Sequence, residues 1–149
     1  KEVKNTNLTA IDISEEALKT AQKNAENNKV HIQFTKANIL TKAKLDKQYD
    51  IIISNPPYVR NIEKKEIKNN VLQNEPHLAL FVTDNNPLVF YEKIATLAKQ
   101  HLTKKGILFF EINQYLGEET KQLLIQKGFK NVELRKDIFN NDRMIKASF

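Results

Sequence analysis

The chain has 149 residues, a formal net charge of +6 and no cysteine. This length suits one domain with its own core, and the absence of cysteine excludes disulfides and thiolate metal ligands. The sequence contains no apolar run long enough to span a bilayer and no signal-peptide pattern, so we expect a cytoplasmic protein that does not enter a membrane. His31, His77 and His101 are scattered and follow no metal-ligand spacing, so no metal site is predicted. The lysines are interleaved with Asn and Glu along the whole chain, which makes a nucleic-acid partner unlikely despite the charge.

The first third of the chain alternates strand and helix signals. Leu8 to Ile13 predicts a short strand, and Ser14 then caps a helix that has two acidic residues in its first turn. Val30 to Thr35 alternates in polarity and predicts a second strand, with Asn38 just beyond it. The apolar run within Tyr49 to Ser54 predicts a third, buried strand.

A connection over residues 59–86, with one or two helical turns around Glu63 to Leu72, is far longer than usual. Beyond it, Asn86 and Pro87 predict the start of a helix whose apolar stripe reaches Leu102 and which Gly106 closes. The remaining predicted elements are a central strand at Ile107–Ile112, a helix at Gly117–Lys127 stopped by Gly128, and a hairpin that joins Val132/Leu134 to Ile145/Ala147/Phe149 through Asn140–Asp142. This order predicts an α/β fold with a mostly parallel sheet and one antiparallel strand at the end.

The segment Asn55-Pro56-Pro57-Tyr58 follows directly on the third strand. Each proline fixes its own φ, lacks an N–H and forces the preceding residue into extended geometry. An amide, an unclaimed carbonyl and an aromatic ring are therefore expected together at the carboxyl end of a strand, where open α/β sheets place their ligand sites. The alternative is a structural proline-rich loop after a core strand.

Two further polar residues follow the earlier strands. Asp12 stands at the end of the first strand, where an acid in dinucleotide-type folds accepts hydrogen bonds from ribose hydroxyls; alternatively it only helps to cap the next helix. Asn38 follows the second strand, and its side chain could bond an adenine edge or serve only as a polar loop residue.

These features in order resemble the class I S-adenosylmethionine-dependent methyltransferases that modify planar nitrogens. Residues 74–81, Asn-Glu-Pro-His-Leu-Ala-Leu-Phe, are similar to a segment of the release-factor glutamine methyltransferases (the HemK/PrmC family). Glu111-Ile112-Asn113 and the hairpin residues Arg135-Lys136-Asp137 and Asp142-Arg143 also fit that family. The resemblance covers essentially the whole chain.

The resemblance implies an enzyme that methylates the glutamine amide nitrogen in the Gly-Gly-Gln loop of peptide-chain release factors, with S-adenosylmethionine as cofactor. It makes release factors the protein partner, with the ribosome involved only indirectly. The roles it implies fall into three sets. The catalytic residues are Asn55, Pro56 and Tyr58; the cofactor-binding residues are Asp12, Ile13, Asn38, Ile39 and Asn55; the substrate-binding residues are Asn55, Pro56, Pro57, Tyr58 and Glu75.

Members of this methyltransferase class begin with a strand and a Gly-rich turn, whereas here the only glycines are Gly106, Gly117 and Gly128. We therefore expect residues 1–149 to be a single partial catalytic domain that lacks the first strand, the Gly-rich loop and an N-terminal substrate-recognition domain. The missing strand would leave unpaired edges between the first and third visible strands. Such a chain is expected to bind cofactor weakly or not at all when alone, to be inactive alone, and to self-associate through those edges or re-pair its strands.

Two other functions remain open from the sequence. A DNA or RNA methyltransferase acting on adenine or guanine amino groups would use Asn-Pro-Pro-Tyr in the same way, because an exocyclic amine also needs two acceptors and a stacking ring. A non-catalytic α/β binding module would make no use of Asn55 in any methylation. The segment from Asn74 to Phe81 and the lack of a basic stripe favour the release-factor substrate over a nucleic acid.

Overall fold

The computed structural model describes residues 5–41, 45–67 and 69–149. The chain divides after residue 44 into two compact units. None of the helices in the described ranges combines the length and apolar character needed to cross a membrane.

The first unit is a strand–helix–strand motif with β1 (Leu8–Asp12), α1 (Glu15–Asn27) and β2 (Ile32–Lys36). The two strands pair in parallel, with Asp12 opposite Lys36. Ser14 caps α1 as predicted, because its Oγ accepts the Ala17 N–H at 3.2 Å. The second strand begins later than the predicted Val30, because the Val30 N–H closes the end of the helix by donating to the Ala25 carbonyl at 3.0 Å.

The second unit opens with β3 (Tyr49–Ser54), whose bounds agree with the prediction. The connection that follows is more ordered than expected. It contains β4 (Val59–Arg60), a 3₁₀ helix (Asn61–Glu66), α2 (Asn69–Asn74), α3 (His77–Leu80) and β5 (Phe81–Val82). Strands β4 and β5, near the two ends of this connection, pair in parallel. Elements of two to six residues are too short to show a hydrophobic period, so the sequence pattern could not reveal them. Residue 68, inside the predicted helical turns, lies outside the described residues.

The next helix and strand differ from the prediction at three positions. Helix α4 (Val89–His101) begins after a turn in which the Val89 N–H donates to the Asn86 carbonyl at 3.4 Å, so Asn86 is not the cap and Pro87 precedes the helix. Strand β6 (Leu102–Glu111) follows α4 at once, so Leu102 belongs to the strand.

Gly106 lies inside β6 and does not end the helix. Tyr49 of β3 pairs with Leu102 of β6, and the next pair is Ile51 with Ile107. Strand β6 therefore has extra residues between these two pairs and bulges there. A Cβ at Gly106 would come within 2.9 Å of the Leu102 Cδ2 and 3.0 Å of the Thr103 nitrogen. Close approach of the chain to itself therefore explains this glycine.

The chain ends with α5 (Gly117–Gln126), β7 (Asn131–Lys136) and β8 (Asp142–Ser148). Gly128 follows α5 with φ of 98°, as expected for a glycine that terminates a helix. The sheet order is β3-β6-β8-β7, with β3 parallel to β6 and β8 antiparallel to both of its neighbours. The predicted α/β class with an antiparallel C-terminal strand is confirmed. Strands β6 and β8 supply the centre of the core, which comprises Leu108, Phe110, Ile145, Ala147, Tyr91, Leu124 and Phe129.

Strands β1 and β3 each have one bare edge. Within the described ranges β1 pairs only with β2, and β3 pairs only with β6. Ile51 and Ile53 on β3 are 54% and 75% exposed, as expected for an apolar strand without a second neighbour.

Candidate active site

The Asn55–Tyr58 loop follows the carboxyl end of β3 and has no regular secondary structure. Asn55 is exposed and Pro56 is buried, so the rigid ring anchors the loop while the amide faces solvent. No donor or acceptor in the described part of the chain bonds the Asn55 side chain, and none donates to the Pro56 carbonyl. The loop therefore presents two hydrogen-bond acceptors that the fold leaves unused, as the sequence predicted.

Tyr58 is held at both ends, by the last residue of β6, by Asn113 just beyond it and by Arg143 of β8. Its hydroxyl donates a hydrogen bond to Glu111 Oε1 at 2.8 Å. The same hydroxyl oxygen accepts a longer hydrogen bond, of 3.4 Å, from Arg143 Nη1. Its carbonyl accepts from Asn113 Nδ2 at 2.9 Å. Burial, and then the hydrogen bond to the Glu111 carboxylate, raise the pKa of Tyr58 to about 12. Tyr58 therefore remains a neutral, fixed ring at physiological pH.

A buried polar cluster supports this arrangement. Glu63, in the 3₁₀ helix, is 7% exposed and accepts from the Arg60 backbone N–H at 3.0 Å and from Arg60 Nε at 2.7 Å. Asn113 Nδ2 donates to Glu63 Oε2 at 2.8 Å, and Asn113 Oδ1 accepts the Tyr115 N–H at 2.9 Å. A buried carboxylate is tolerated when it is paired and fully bonded, and here Arg60 supplies the opposite charge.

Two further side chains complete the surroundings of Tyr58. Tyr91 is fully buried, and its hydroxyl donates to the Glu111 carbonyl at 3.2 Å; its burial raises its pKa. Arg143 Nε lies 3.6 Å from Asp137 Oδ2. The pKa of Asp137 is lowered, chiefly because its carboxylate accepts the Asn141 backbone N–H. This carboxylate orients the guanidinium that contacts Tyr58.

The predicted cofactor residues of the first unit lie at the carboxyl ends of its paired strands. Asp12 is exposed, and its Oδ1 accepts the Ser14 N–H at 2.7 Å. Asn38 Oδ1 accepts the Leu40 N–H at 2.9 Å, while its Nδ2 has no partner within the described residues. Ile13 is 43% exposed, and Ile39 is half-buried. Both polar residues thus have a local structural role and still offer free hydrogen-bonding atoms.

Glu75, predicted to bind substrate, lies exposed between α2 and α3. Its backbone N–H donates to the Val71 carbonyl at 2.9 Å. No other described residue bonds its side chain, so its role in substrate binding stays a prediction.

Sequence patterns assigned no role to the four side chains that hold Tyr58 and its loop. Glu111, Asn113 and Arg143 were noticed only as parts of segments that resemble a family. Nothing in the sequence marked Glu63 as buried, because an acidic residue followed by two lysines is typical of an exposed position.

Comparison with known proteins identifies the family. Residues 1–80 match the model of the methyltransferase small domain. The chain belongs to the methyltransferase small domain family. The match covers the Asn55–Tyr58 loop and the two polar cofactor candidates of the first unit, Asp12 and Asn38.

The curated relatives of this methyltransferase small domain include two release factor glutamine methyltransferases. The protein from Flavobacterium psychrophilum is 58% identical over 149 residues, which are 100% of this chain and 52% of that protein. The protein from Bacteroides thetaiotaomicron is 42% identical over 149 residues, 99% of this chain and 54% of that protein. The predicted resemblance is confirmed, and the chain spans about half the length of these relatives.

A solved structure supports the fold. A methyltransferase from Pyrococcus furiosus superposes with a TM-score of 0.70 at 19% sequence identity, covering 98% of this chain and 64% of that one. At this identity the similarity shows a shared methyltransferase fold.

Proposed function

We propose that the protein carrying this chain uses S-adenosylmethionine to methylate the side-chain amide nitrogen of glutamine in the Gly-Gly-Gln loop of peptide-chain release factors. The observation that carries the proposal is the pair of unused acceptors, Asn55 Oδ1 and the Pro56 carbonyl, beside a Tyr58 ring that is fixed at both ends. The printed names of the curated relatives support the release factor as substrate.

The two acceptors suit a primary amide because that group carries two N–H bonds on one planar nitrogen. The amide nitrogen is a weak nucleophile, since its lone pair is delocalised into the carbonyl. Two acceptors aimed at its hydrogens hold the nitrogen in place and stabilise the positive charge that develops when the methyl group is transferred. Tyr58 packs on the amide plane. No strong base is required at this step, because the proton can leave the nitrogen afterwards.

Asp12 and Asn38 are the proposed cofactor residues of the first unit. Asp12 Oδ1 already accepts the Ser14 N–H, which leaves Oδ2 to accept from ribose hydroxyls. Asn38 keeps Nδ2 and one lone pair of Oδ1 for the adenine edge. The residues present therefore fit a nucleoside, and Ile13 and Ile39 add apolar surface beside them. When bound, S-adenosylmethionine supplies the sulfonium methyl group.

The test is methylation by the full-length gene product that carries this chain, offered release factor, DNA and ribosomal RNA in parallel. We expect methyl transfer to release factor alone. Asn55→Ala should lower kcat by about 100-fold, as loss of one preorganised hydrogen bond to a developing charge does elsewhere. Asn24→Ala, at an exposed position of α1 whose side chain has no partner in the described ranges, is the matched control.

The other outcomes distinguish the alternatives. Methylation of adenine or guanine amino groups in place of release factor would establish a nucleic-acid methyltransferase. An unchanged activity in Asn55→Ala would show that the acceptor loop plays no part in catalysis.

A further inference from the structure

Asn113 is a buried amide with every hydrogen-bonding atom in use. It is 4% exposed, and its Nδ2 donates to both the Tyr58 carbonyl and Glu63 Oε2. Its Oδ1 accepts the Tyr115 N–H. The reversed amide would turn its oxygen toward two acceptors, so this orientation is the one that the surroundings permit.

The position of Asn113 explains what this bond does. The residue lies two positions beyond the end of β6, and Phe110 of β6 pairs with Ser54, the residue before the Asn55–Tyr58 loop. The loop is thus tied to β6 at its start through the sheet and at its end through Asn113. Between these ties the two prolines leave little freedom, because each fixes its own φ.

Glu63 provides the acceptor that orients Asn113. Arg60 bonds the Glu63 carboxylate and neutralises it, so a charged group can remain buried beside the amide. With one Asn113 hydrogen directed to Glu63, the other is directed to the Tyr58 carbonyl. The Arg60–Glu63 pair therefore determines the direction of the bond that holds the loop.

We propose that Asn113, oriented by Glu63, is a positioning residue that directs Asn55 Oδ1 and the Pro56 carbonyl at the substrate amide. This rests on the proposed function for its catalytic consequence. Asn113 acts through the loop and does not itself touch the reacting nitrogen.

The experiment compares Asn113→Asp with the double variant Asn113→Asp/Glu63→Gln in the full-length gene product. In the single variant, the new carboxylate faces the Tyr58 carbonyl and the Glu63 carboxylate, both acceptors. In the double variant, the new amide at position 63 can donate to the carboxylate at position 113, and the cluster again contains a single carboxylate beside Arg60 and position 63. The contact between positions 63 and 113 is restored with reversed polarity, yet the Tyr58 carbonyl still lacks a donor.

Stability, loop order and catalysis are measured on each variant. We expect denaturant unfolding to show a loss of stability in Asn113→Asp that the double variant largely recovers. Backbone order parameters of Tyr58 and Val59 from NMR relaxation should fall in both variants. In both, kcat should fall about 10–100-fold with little change in cofactor Kd, because misplacement of reacting groups affects the transition state. Asn24→Asp is the exposed control and should leave all three measurements unchanged.

Recovery of kcat together with stability in the double variant would overturn the inference, because Asn113 would then have only a structural role. Unchanged order parameters at Tyr58 and Val59 in Asn113→Asp would also overturn it. The relaxation measurement does not depend on activity. If the wild-type protein methylates no release factor, the proposed function fails, while relaxation still decides whether Asn113 holds the loop.

Discussion

Tyr58→Phe tests whether the hydroxyl of this ring fixes the loop. The substitution keeps the aromatic plane and removes the hydrogen bond to Glu111 Oε1, which is 2.8 Å long, and the contact from Arg143. The Glu111 carboxylate then loses a donor in a half-buried position.

The size of the effect follows from that geometry. A hydrogen bond to a charged group contributes about 1.5–3 kcal/mol to stability, and partial exposure of Tyr58 places this one near the lower end, at about 1–2 kcal/mol. For a protein of this size we expect a fall in Tm of roughly 3–6 °C.

The pH dependence provides a second signature. The folded-state pKa of Tyr58 is raised to about 12, whereas tyrosine in an unfolded chain ionises near its ordinary value of 10. The stabilisation is therefore fully present below pH 10 and is lost as the pH rises toward and through 12. Because the phenylalanine variant lacks this titration, its stability should approach that of the wild type over that range.

Urea unfolding of wild type, Tyr58→Phe and Tyr49→Phe at pH 7.5 and at several pH values from 9 to 11.5 measures both effects. Tyr49 is half-buried, and its hydroxyl has no hydrogen-bond partner in the described part of the chain, so Tyr49→Phe is the matched control. Equal stability losses in the two variants at pH 7.5, or a difference that persists unchanged at pH 11.5, would refute the reasoning.

Three further substitutions test the fold by denaturant unfolding. Ser14→Ala removes the cap bond to the Ala17 N–H and should cost about 1 kcal/mol; a change below a few tenths would show that the cap is unimportant. Leu108→Ala opens a cavity at a fully buried site and should lower the free energy of unfolding by about 2–5 kcal/mol. Its control, Ile138→Ala at a 93% exposed site, should change stability by less than about 0.5 kcal/mol. Similar values for both variants would contradict the assigned core. Gly128→Ala places a side chain at φ of 98° and should destabilise by about 1 kcal/mol or more, so an unchanged or more stable variant would contradict the assigned turn.

The sequence predicted those elements whose signals are local. Ser14 capped α1, β3 had the expected bounds, and the C-terminal hairpin formed because strict alternation on both sides of a polar turn admits few other pairings. Helix α4 begins at Val89, later than the predicted start at Asn86–Pro87, because the Asn86 carbonyl accepts the Val89 N–H in a turn that precedes the helix. Gly106 was misassigned because a glycine that ends a helix and one that permits a bulge look alike in sequence.

The acceptors of the Asn55–Tyr58 loop were predictable from the sequence, and the buried cluster that supports the loop was not. Asn55 and the Pro56 carbonyl stood out because proline removes the backbone bonding options around them. The contact between Glu63 and Asn113 joins residues 50 positions apart, and nothing in a single sequence encodes that pairing. The same holds for the contact between Arg143 and Tyr58, which lie 85 positions apart.

The most direct test of the central claim is the rate of glutamine methylation on release factor by the full-length gene product with Asn55→Ala. The account predicts a fall in kcat of about 100-fold, with Asn24→Ala equal to wild type. Cofactor Kd, measured on the same samples by calorimetry, shows whether any part of the loss lies in cofactor binding. A kcat in Asn55→Ala within twofold of wild type would contradict the claim that this loop holds the substrate amide.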